Sequence, residues 1–175
     1  LIFVFKMKKN FLKVKKLDDK SIWFYLKTRN QNINVKNSIS KKKIKPIDHL
    51  KWWFENTNMR SYLVFKDKIK LFILTERFIR FGNKNIILPG LMTCSSKHTI
   101  FDLLWSIRWQ KKNIDKLNKK SICLISVPKE NFFSNIQTKY FDFMPLKKKD
   151  RKFNFLRKIF KNSNNFNLYY RLVNE

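Results

Sequence analysis

The stretch Ser121-Ile-Cys-Leu-Ile-Ser-Val127, continued by Pro128-Lys-Glu-Asn-Phe-Phe-Ser134, decides the fold. Its first part is a short apolar run bounded by lysines and by proline, a pattern that predicts a buried β-strand. From Glu130 onward, apolar residues recur at spacings near three and four, which predicts a helix. They are Phe133, Ile136, Tyr140 and Phe141. The sequence therefore predicts a buried strand that passes through a polar turn into a helix.

This strand, the turn Asn131-x-x-Ser134 and the helix together resemble the second half of the GNAT N-acetyltransferase fold. The family pattern ends in Gly-Phe, whereas Asp142-Phe143 stands here and the glycine is missing. A second stretch, with Arg29-Asn30 and then His49-x-x-Trp52, resembles the opening of a GNAT branch that acetylates amino sugars, including nucleotide-linked ones in surface-glycan pathways. The two matches stand in the family's order, and the resemblance spans roughly residues 8 to 146.

The order of elements fits this family. The resemblance implies one α/β (α+β) domain with a mixed, mostly antiparallel central sheet flanked by helices. Alternating apolar residues predict strands, and Asp67-Lys68 and Gly82-Asn83 predict hairpin turns. The predicted strands cover residues 11–15, 61–65, 70–74, 77–81, 85–93, 121–127 and 166–173, and the predicted helices cover residues 18–27, 46–55 and 99–112.

Composition limits the classes of function. A chain of 175 residues that is 43% apolar can form a real core, despite a formal net charge of +28. Its lysines are spread along the whole chain, and abundant Lys, Asn, Ile and Phe with little Gly are typical of an AT-rich genome. A surface selected to bind polyanions is the alternative, because basic surfaces bind phosphates by counterion release. In either case the positive field attracts anionic ligands.

Targeting and redox features are few. No apolar run approaches the length of a membrane helix, and Cys94 and Cys123 lack a metal-binding spacing. We therefore expect a cytoplasmic protein with buried free thiols and no metal site. The sequence from Met7 is typical of a bacterial start. Residues 1–7 are accordingly interpreted as an extension, and residues 8–175 as the single domain.

The GNAT resemblance implies acetyl-CoA as the acyl donor. In the family, the pyrophosphate lies on backbone N–H groups at the N-terminus of the central helix, where a loop reads Q/R-x-x-G-x-G/A. Here Ser95, His98 and Ile100 stand at the three specified positions, and none of them matches. The resemblance places the cofactor site at Met92, Cys94, Ser95, Ser96, Lys97, His98, Thr99, Asn131 and Ser134.

Two positions near this site leave alternatives open. The family fold parts its fourth and fifth strands to admit the pantetheine arm. Pro89-Gly90 is either a bulge at that splay or a plain turn between two strands. Asn131 is a cofactor contact, the N-cap of the following helix, or both.

Acetyl transfer requires a neutral amine, a base or water chain to take its proton, and an acid for the leaving thiolate. Many GNAT enzymes supply the acid from a Tyr four residues after the position of Ser134. Thr138 stands there, and Tyr140, two residues later, is the candidate acid if the register shifts. The candidate bases are His49, Glu55 and Glu76, with packing or capping as the alternative for His49.

The resemblance implies an acceptor site that comprises Arg29, Asn30, His49 and Trp52. An arginine suits the phosphate of a nucleotide-linked sugar, and a structural ion pair of Arg29 with Asp18 or Asp19 is the alternative.

Three functions follow. The first is transfer of an acetyl group from acetyl-CoA to an amino sugar, and the second is a GNAT-fold protein with a binding role and no catalysis. The third is a small basic nucleic-acid-binding domain whose aromatic-rich strands stack bases. A basic stripe on one face would favour the third, and evenly spread charge would count against it.

Overall fold

The computed structural model describes residues 12–117, 120–131, 134–135, 138–139, 141–147, 149, 151–160 and 164–174. Within these residues one sheet has the strand order β1-β2-β3-β4-β5-β7-β6. Its strands are β1 Leu12–Lys16, β2 Met59–Lys66, β3 Ile69–Phe81, β4 Lys84–Thr93, β5 Ser121–Pro128, β6 Met144–Pro145 and β7 Phe166–Val173. The helices are α1 Ile22–Arg29, α2 Asn32–Lys36, α3 Pro46–Glu55 and α4 Ile100–Asp115, with 3-10 turns at Asp19–Ser21 and Arg151–Lys158.

The pairing of β4 with β5 is the exception in this sheet. The other neighbouring strands are antiparallel, whereas β4 and β5 are parallel. They pair only where Ile86 lies opposite Ile122 and Ile87 lies opposite Cys123. Beyond these residues the two strands carry no shared ladder and a gap opens in the middle of the sheet. The prediction of a mixed, mostly antiparallel sheet flanked by helices is confirmed.

The sheet buries a different set of side chains on each face, because successive residues of a strand point to opposite sides. Leu63 of β2 and Ile73 of β3 pack with aromatic residues of α1 and α3. The neighbouring residues Val64 and Phe72 pack instead against apolar side chains of α4. Helices α1 and α3 therefore lie on one face of the sheet, and α4 lies on the other.

Most predicted elements are present. The helix from Pro46 to Glu55 and the closing strand Phe166–Val173 are confirmed. The predicted strands at residues 70–74 and 77–81 are one strand, β3, because Thr75 and Glu76 pair on both sides without interruption. The short helix α2 and strand β6 were not predicted, since five and two residues carry no periodic signal. None of the described helices is long and apolar enough to cross a membrane.

Candidate functional site

A large cavity occupies the gap between β4 and β5. It has a volume of about 1650 Å³. On one side it is lined by α4, and on the other by residues of α1, α2 and the loop of residues 37–45. Residues 88–93 of β4 and 125–128 of β5 form its walls within the sheet. The cavity thus passes through the sheet and connects the two faces.

The edge of β4 that borders the gap can be identified from hydrogen bonds. The N–H of Cys94 donates to the Leu71 carbonyl at 2.8 Å, so even-numbered residues of this strand face β3. Thr93, on the opposite edge, exchanges hydrogen bonds with Asn34. Because neighbouring residues alternate between the two edges of a strand, Leu91 and Pro89 face the gap together with Thr93. This edge offers the N–H and C=O of Leu91 and the C=O of Pro89.

The structure corrects both interpretations of Pro89-Gly90. The register between β3 and β4 is unbroken, with Glu76 opposite Pro89 and Thr75 opposite Gly90, so the pair forms neither a bulge nor a turn. Pro89 is tolerated because its missing N–H would face the gap and not the ladder with β3. A Cβ atom at Gly90 would lie 2.6 Å from the Thr75 Oγ1, which explains the glycine.

Asn34 joins α2 to the open edge of β4. Its Nδ2 donates to the carbonyls of Thr28 and Thr93, at 2.7 and 2.8 Å. Its Oδ1 accepts from the Thr93 N–H at 3.0 Å, so the side-chain amide occupies both backbone groups of Thr93 as an added strand would. This buried residue was not predicted, because nothing distinguishes it from the other asparagines of residues 30–37.

The loop before α4 is held largely by its own residues. Thr99 caps the helix in a capping box with Asp102: its side chain accepts from the Asp102 N–H at 3.2 Å, and its N–H donates to the carboxylate at 2.9 Å. The Ser95 Oγ accepts from the Lys97 N–H at 3.1 Å, and the Ser95 carbonyl lies 2.7 Å from the His98 Nδ1. The first turn of α4 therefore already contains a carboxylate.

Asp102 has further significance because it is almost fully buried, with 1% of its surface exposed. Its Oδ1 has no hydrogen-bond partner among the described residues, and the nearest cation is the Lys66 Nζ at 3.8 Å. A carboxylate in the first turn is stabilised by the helix dipole. The same dipole would favour the pyrophosphate of a cofactor, so the two anions would compete for one positive helix end.

The structure brings most of the predicted cofactor residues to the cavity. Met92, Cys94, Ser95, Ser96, His98, Asn131 and Ser134 line it, whereas Lys97 and Thr99 do not. The capping interpretation of Asn131 is confirmed, since its Oδ1 accepts from the Ser134 N–H at 3.0 Å. Thr138 also lines the cavity, and its hydroxyl donates to the Asn135 carbonyl at 2.8 Å. Tyr140, the candidate acid, lies outside the described residues.

His49 lies in an aromatic cluster and not in the cavity. Its ring is fully buried and stacks on Tyr25 and Trp52, with centroid distances of 5.6 and 5.4 Å. Its Nε2 lies 3.1 Å from the Ile22 carbonyl, and burial lowers the pKa of the imidazole. The position thus supports the packing alternative over a catalytic base. Trp52 belongs to the same cluster and does not line the cavity either.

The other two candidate bases are also absent from the cavity lining. Glu76 is fully buried between β3 and α4, where its Oε1 accepts from the Asn113 Nδ2 at 2.9 Å. Burial raises the pKa of this carboxyl, an effect that Asn113 and Arg60 partly oppose. Glu55 lies exposed at the end of α3. Neither position brings a base to the gap.

Of the remaining acceptor candidates, Arg29 alone lines the cavity. Asn30 instead holds the loop of residues 37–45, since its side chain exchanges two 2.8 Å hydrogen bonds with the backbone of Ile44. The predicted alternative of an ion pair between Arg29 and Asp18 or Asp19 is wrong. Asp18 accepts from the Ser21 hydroxyl and Asp19 from the Trp53 indole.

Both cysteines are free thiols. Cys123 is fully buried, and Cys94 is half-buried at the end of β4. Burial raises the pKa of Cys94 to about 11 and that of Cys123 to about 12. Burial thus disfavours the thiolate, which is the reactive form of a cysteine.

Comparisons with solved structures identify the fold. No protein-family model and no curated protein matches the chain. A domain from Methanocaldococcus jannaschii is similar, with a TM-score of 0.70, 14% identity, and coverage of 93% of this chain and 98% of that one. Spermidine N-acetyltransferase from Vibrio cholerae, in complex with CoA and spermine, is also similar, with a TM-score of 0.65 and 14% identity. The match covers 92% of this chain and 95% of that one.

An acetyltransferase from Salmonella typhimurium that modifies the N-terminal serine of a 50S ribosomal subunit protein is equally similar. It has a TM-score of 0.65 and 14% identity, and the match covers 93% of this chain and 95% of that chain. The structural neighbours thus include GNAT N-acetyltransferases, and the chain has the GNAT fold. At this identity the likeness shows the fold alone.

Proposed function

We propose that this protein transfers the acetyl group of acetyl-CoA to an amine, with the pantetheine arm lying in the gap between β4 and β5. The observation that carries this proposal is the open edge of β4. The N–H and C=O of Leu91 and the C=O of Pro89 face a cavity that is lined by residues from both faces of the sheet. An extended chain with amide groups can pair with such an edge as an added strand does.

The proposed reaction needs few groups from the protein. The nitrogen lone pair of a neutral amine attacks the thioester carbonyl, the new C–N bond forms, and the C–S bond breaks. The sulfur leaves with its electron pair as a thiolate and takes up a proton, and the nitrogen gives up one. The products are an N-acetyl amine and CoA. Holding the two reactants in line supplies much of the acceleration of such a transfer.

Backbone and hydroxyl groups of the gap are the described candidates for this chemistry. The N–H of Leu91 faces the gap, where it can donate to the pantetheine arm or, in the transition state, to the oxyanion that forms at the thioester carbonyl. Ser126 and Thr138 line the cavity and can hold a water that relays protons. Tyr140 remains the proposed acid for the thiolate on the GNAT resemblance.

For the acceptor, we propose an amino sugar, which a cytoplasmic pathway of surface-glycan synthesis would use. The support lies in the lining of the cavity on the side of α1 and α2, which offers amide and hydroxyl groups. They belong to Gln31, Asn37, Ser38 and Ser40. Such neutral donors and acceptors match the hydroxyl groups of a sugar.

A second candidate function is CoA binding without catalysis. One observation favours it: none of the three candidate bases lines the cavity. Such a protein would bind acetyl-CoA and leave it intact.

One experiment separates the two candidates. Acetyl-CoA is titrated into the protein by calorimetry at moderate salt, with ATP as the control for charge, and CoA release is then followed with a panel of amines. Acetyl transfer predicts saturable binding of acetyl-CoA, tighter than that of ATP, together with an N-acetyl product detected by mass spectrometry. Binding without any product supports the second candidate. Binding no tighter than that of ATP contradicts both.

A further inference from the structure

The cations of the cavity fall into two groups that differ in their partners. Lys111 and Arg171, on the α4 side, are both paired with Asp115: their distances to its carboxylate are 3.2 and 2.7 Å. Lys111 also lies 3.3 Å from Asp142. These positive charges are therefore already balanced by the protein.

On the side of α1 and α2 the cations lack such balance. The Arg29 Nη2 has one long contact, 3.4 Å from the Ser40 Oγ, and the Arg29 Nη1 is buried with no hydrogen-bond partner in the described chain. Lys42 also lines the cavity, and no described carboxylate forms an ion pair with it. An unpaired guanidinium in a partly buried site is costly unless a ligand supplies the counter-charge.

The rest of the lining offers no compensation, because the described residues of the cavity include no Asp or Glu. Glu130, the carboxylate that approaches the loop of residues 37–45, lies 3.8 Å from Lys41 and outside the lining. Burial lowers the pKa of Arg29, as expected for a cation without a carboxylate beside it. A polycationic amine would meet repulsion here and find no carboxylate to bind.

We infer that the acceptor is an amine that carries a phosphate or carboxylate group, and that Arg29 and Lys42 bind this anion on the α1 and α2 side of the cavity. The inference rests on the proposed function and narrows its acceptor from amino sugars in general to anionic ones. The planar guanidinium of Arg29 suits two oxygens of such a group.

The test uses binding, so that it does not depend on turnover. Glucosamine, glucosamine 6-phosphate and spermidine are each titrated by calorimetry into the protein saturated with CoA, and into the protein without CoA. The first two probes share the amine and differ in the phosphate, and the third is a polycation. The expected result is that glucosamine 6-phosphate binds at least about tenfold tighter than glucosamine, and that spermidine binds weakest.

Substitutions of Arg29 test whether this residue causes the preference for the phosphorylated sugar. Arg29→Gln should remove most of the preference for the phosphate, and Arg29→Lys should restore part of it. Lys27→Gln is the matched control, since Lys27 lies exposed on the same helix outside the cavity, and it should change nothing. Equal binding of the two sugars, tightest binding of spermidine, or an unchanged preference in Arg29→Gln would overturn the inference. If CoA itself failed to bind, the proposed function would be contradicted and the inference would not. The titrations without CoA would still measure how Arg29 affects acceptor binding.

Discussion

The gap between β4 and β5 and the N-terminus of α4 are the two halves of the proposed cofactor site, and they differ in which hydrogen-bonding groups remain free. At the gap, strand pairing ends after Ile87 and the edge of β4 presents Leu91 and Pro89 to a cavity. At the helix, Thr99 and Asp102 form a capping box, and a carboxylate occupies the positive end. The edge of β4 is therefore open to a ligand, whereas most hydrogen-bonding groups at the N-terminus of α4 are already used within the protein.

The difference follows from how each half is encoded. The gap is a property of backbone topology, set where two parallel strands stop pairing, and many side chains can maintain it. A phosphate loop depends on small residues that let the backbone approach the ligand, and in the family alignment those positions are held here by His98 and Ile100. Substitutions therefore remove a phosphate signature far more readily than they close a sheet.

The largest expected effect comes from filling the gap. Ser126 lies half-buried on β5 and lines the cavity, so Ser126→Phe should place a ring where the pantetheine arm would lie. We expect acetyl-CoA affinity to fall by more than about a hundredfold, because overpacking leaves no room for the arm. Calorimetric titration measures this, and Ser126→Ala should bind as the wild type does. Undiminished binding in Ser126→Phe would mean that the cofactor does not use the gap.

The next largest effect concerns the link between α2 and β4. Asn34→Ala leaves the partly buried backbone groups of Thr93 and the buried carbonyl of Thr28 without their partner. We expect the free energy of unfolding to fall by about 1–3 kcal/mol, measured by urea denaturation. Asn32→Ala, an exposed asparagine of the same helix, should have little effect. If both variants were equally stable, Asn34 would not be the residue that holds α2 on the edge of β4.

A smaller effect, on acetyl-CoA affinity, is expected from a substitution at the N-terminus of α4. Asp102→Asn keeps an oxygen that can accept the Thr99 N–H and removes the negative charge. We expect acetyl-CoA to bind about two- to fivefold tighter, since interactions with a helix dipole amount to about 0.3–1 kcal/mol. Asp48→Asn, in the exposed first turn of α3, is the control for net charge. An equal gain in both variants would show that only the overall charge matters.

The smallest effect on activity is expected from Glu76→Gln, because Glu76 lies outside the cavity lining. Burial raises the pKa of this carboxyl in the folded state above its unfolded value. Its contribution to stability is therefore present at pH below the unfolded pKa and is lost as pH rises through the folded pKa. Glu76→Gln should remove this part of the pH dependence of unfolding. A large loss of acetyl transfer in Glu76→Gln would restore Glu76 as a catalytic base.

The sequence predicts the elements of this fold better than it predicts the site. Long periodic segments such as Pro46–Glu55 are predicted because burial of one face dictates their pattern. His49 and Trp52 show the limit, since a histidine one turn into an amphipathic helix has the same local sequence whether it packs or catalyses. Asn34 carries no local signal at all, because its role depends on Thr93, which is 59 residues away.

Residue-resolved amide hydrogen exchange, measured by NMR with and without acetyl-CoA, tests the central claim most directly. The Thr93 N–H is already bonded to Asn34, whereas the Leu91 N–H faces the gap. Pairing of the pantetheine arm with β4 predicts that acetyl-CoA slows exchange at Leu91 and changes little at Thr93. Slower exchange confined to the first turn of α4, with Leu91 unchanged, would contradict the claim that the open edge of β4 binds the cofactor.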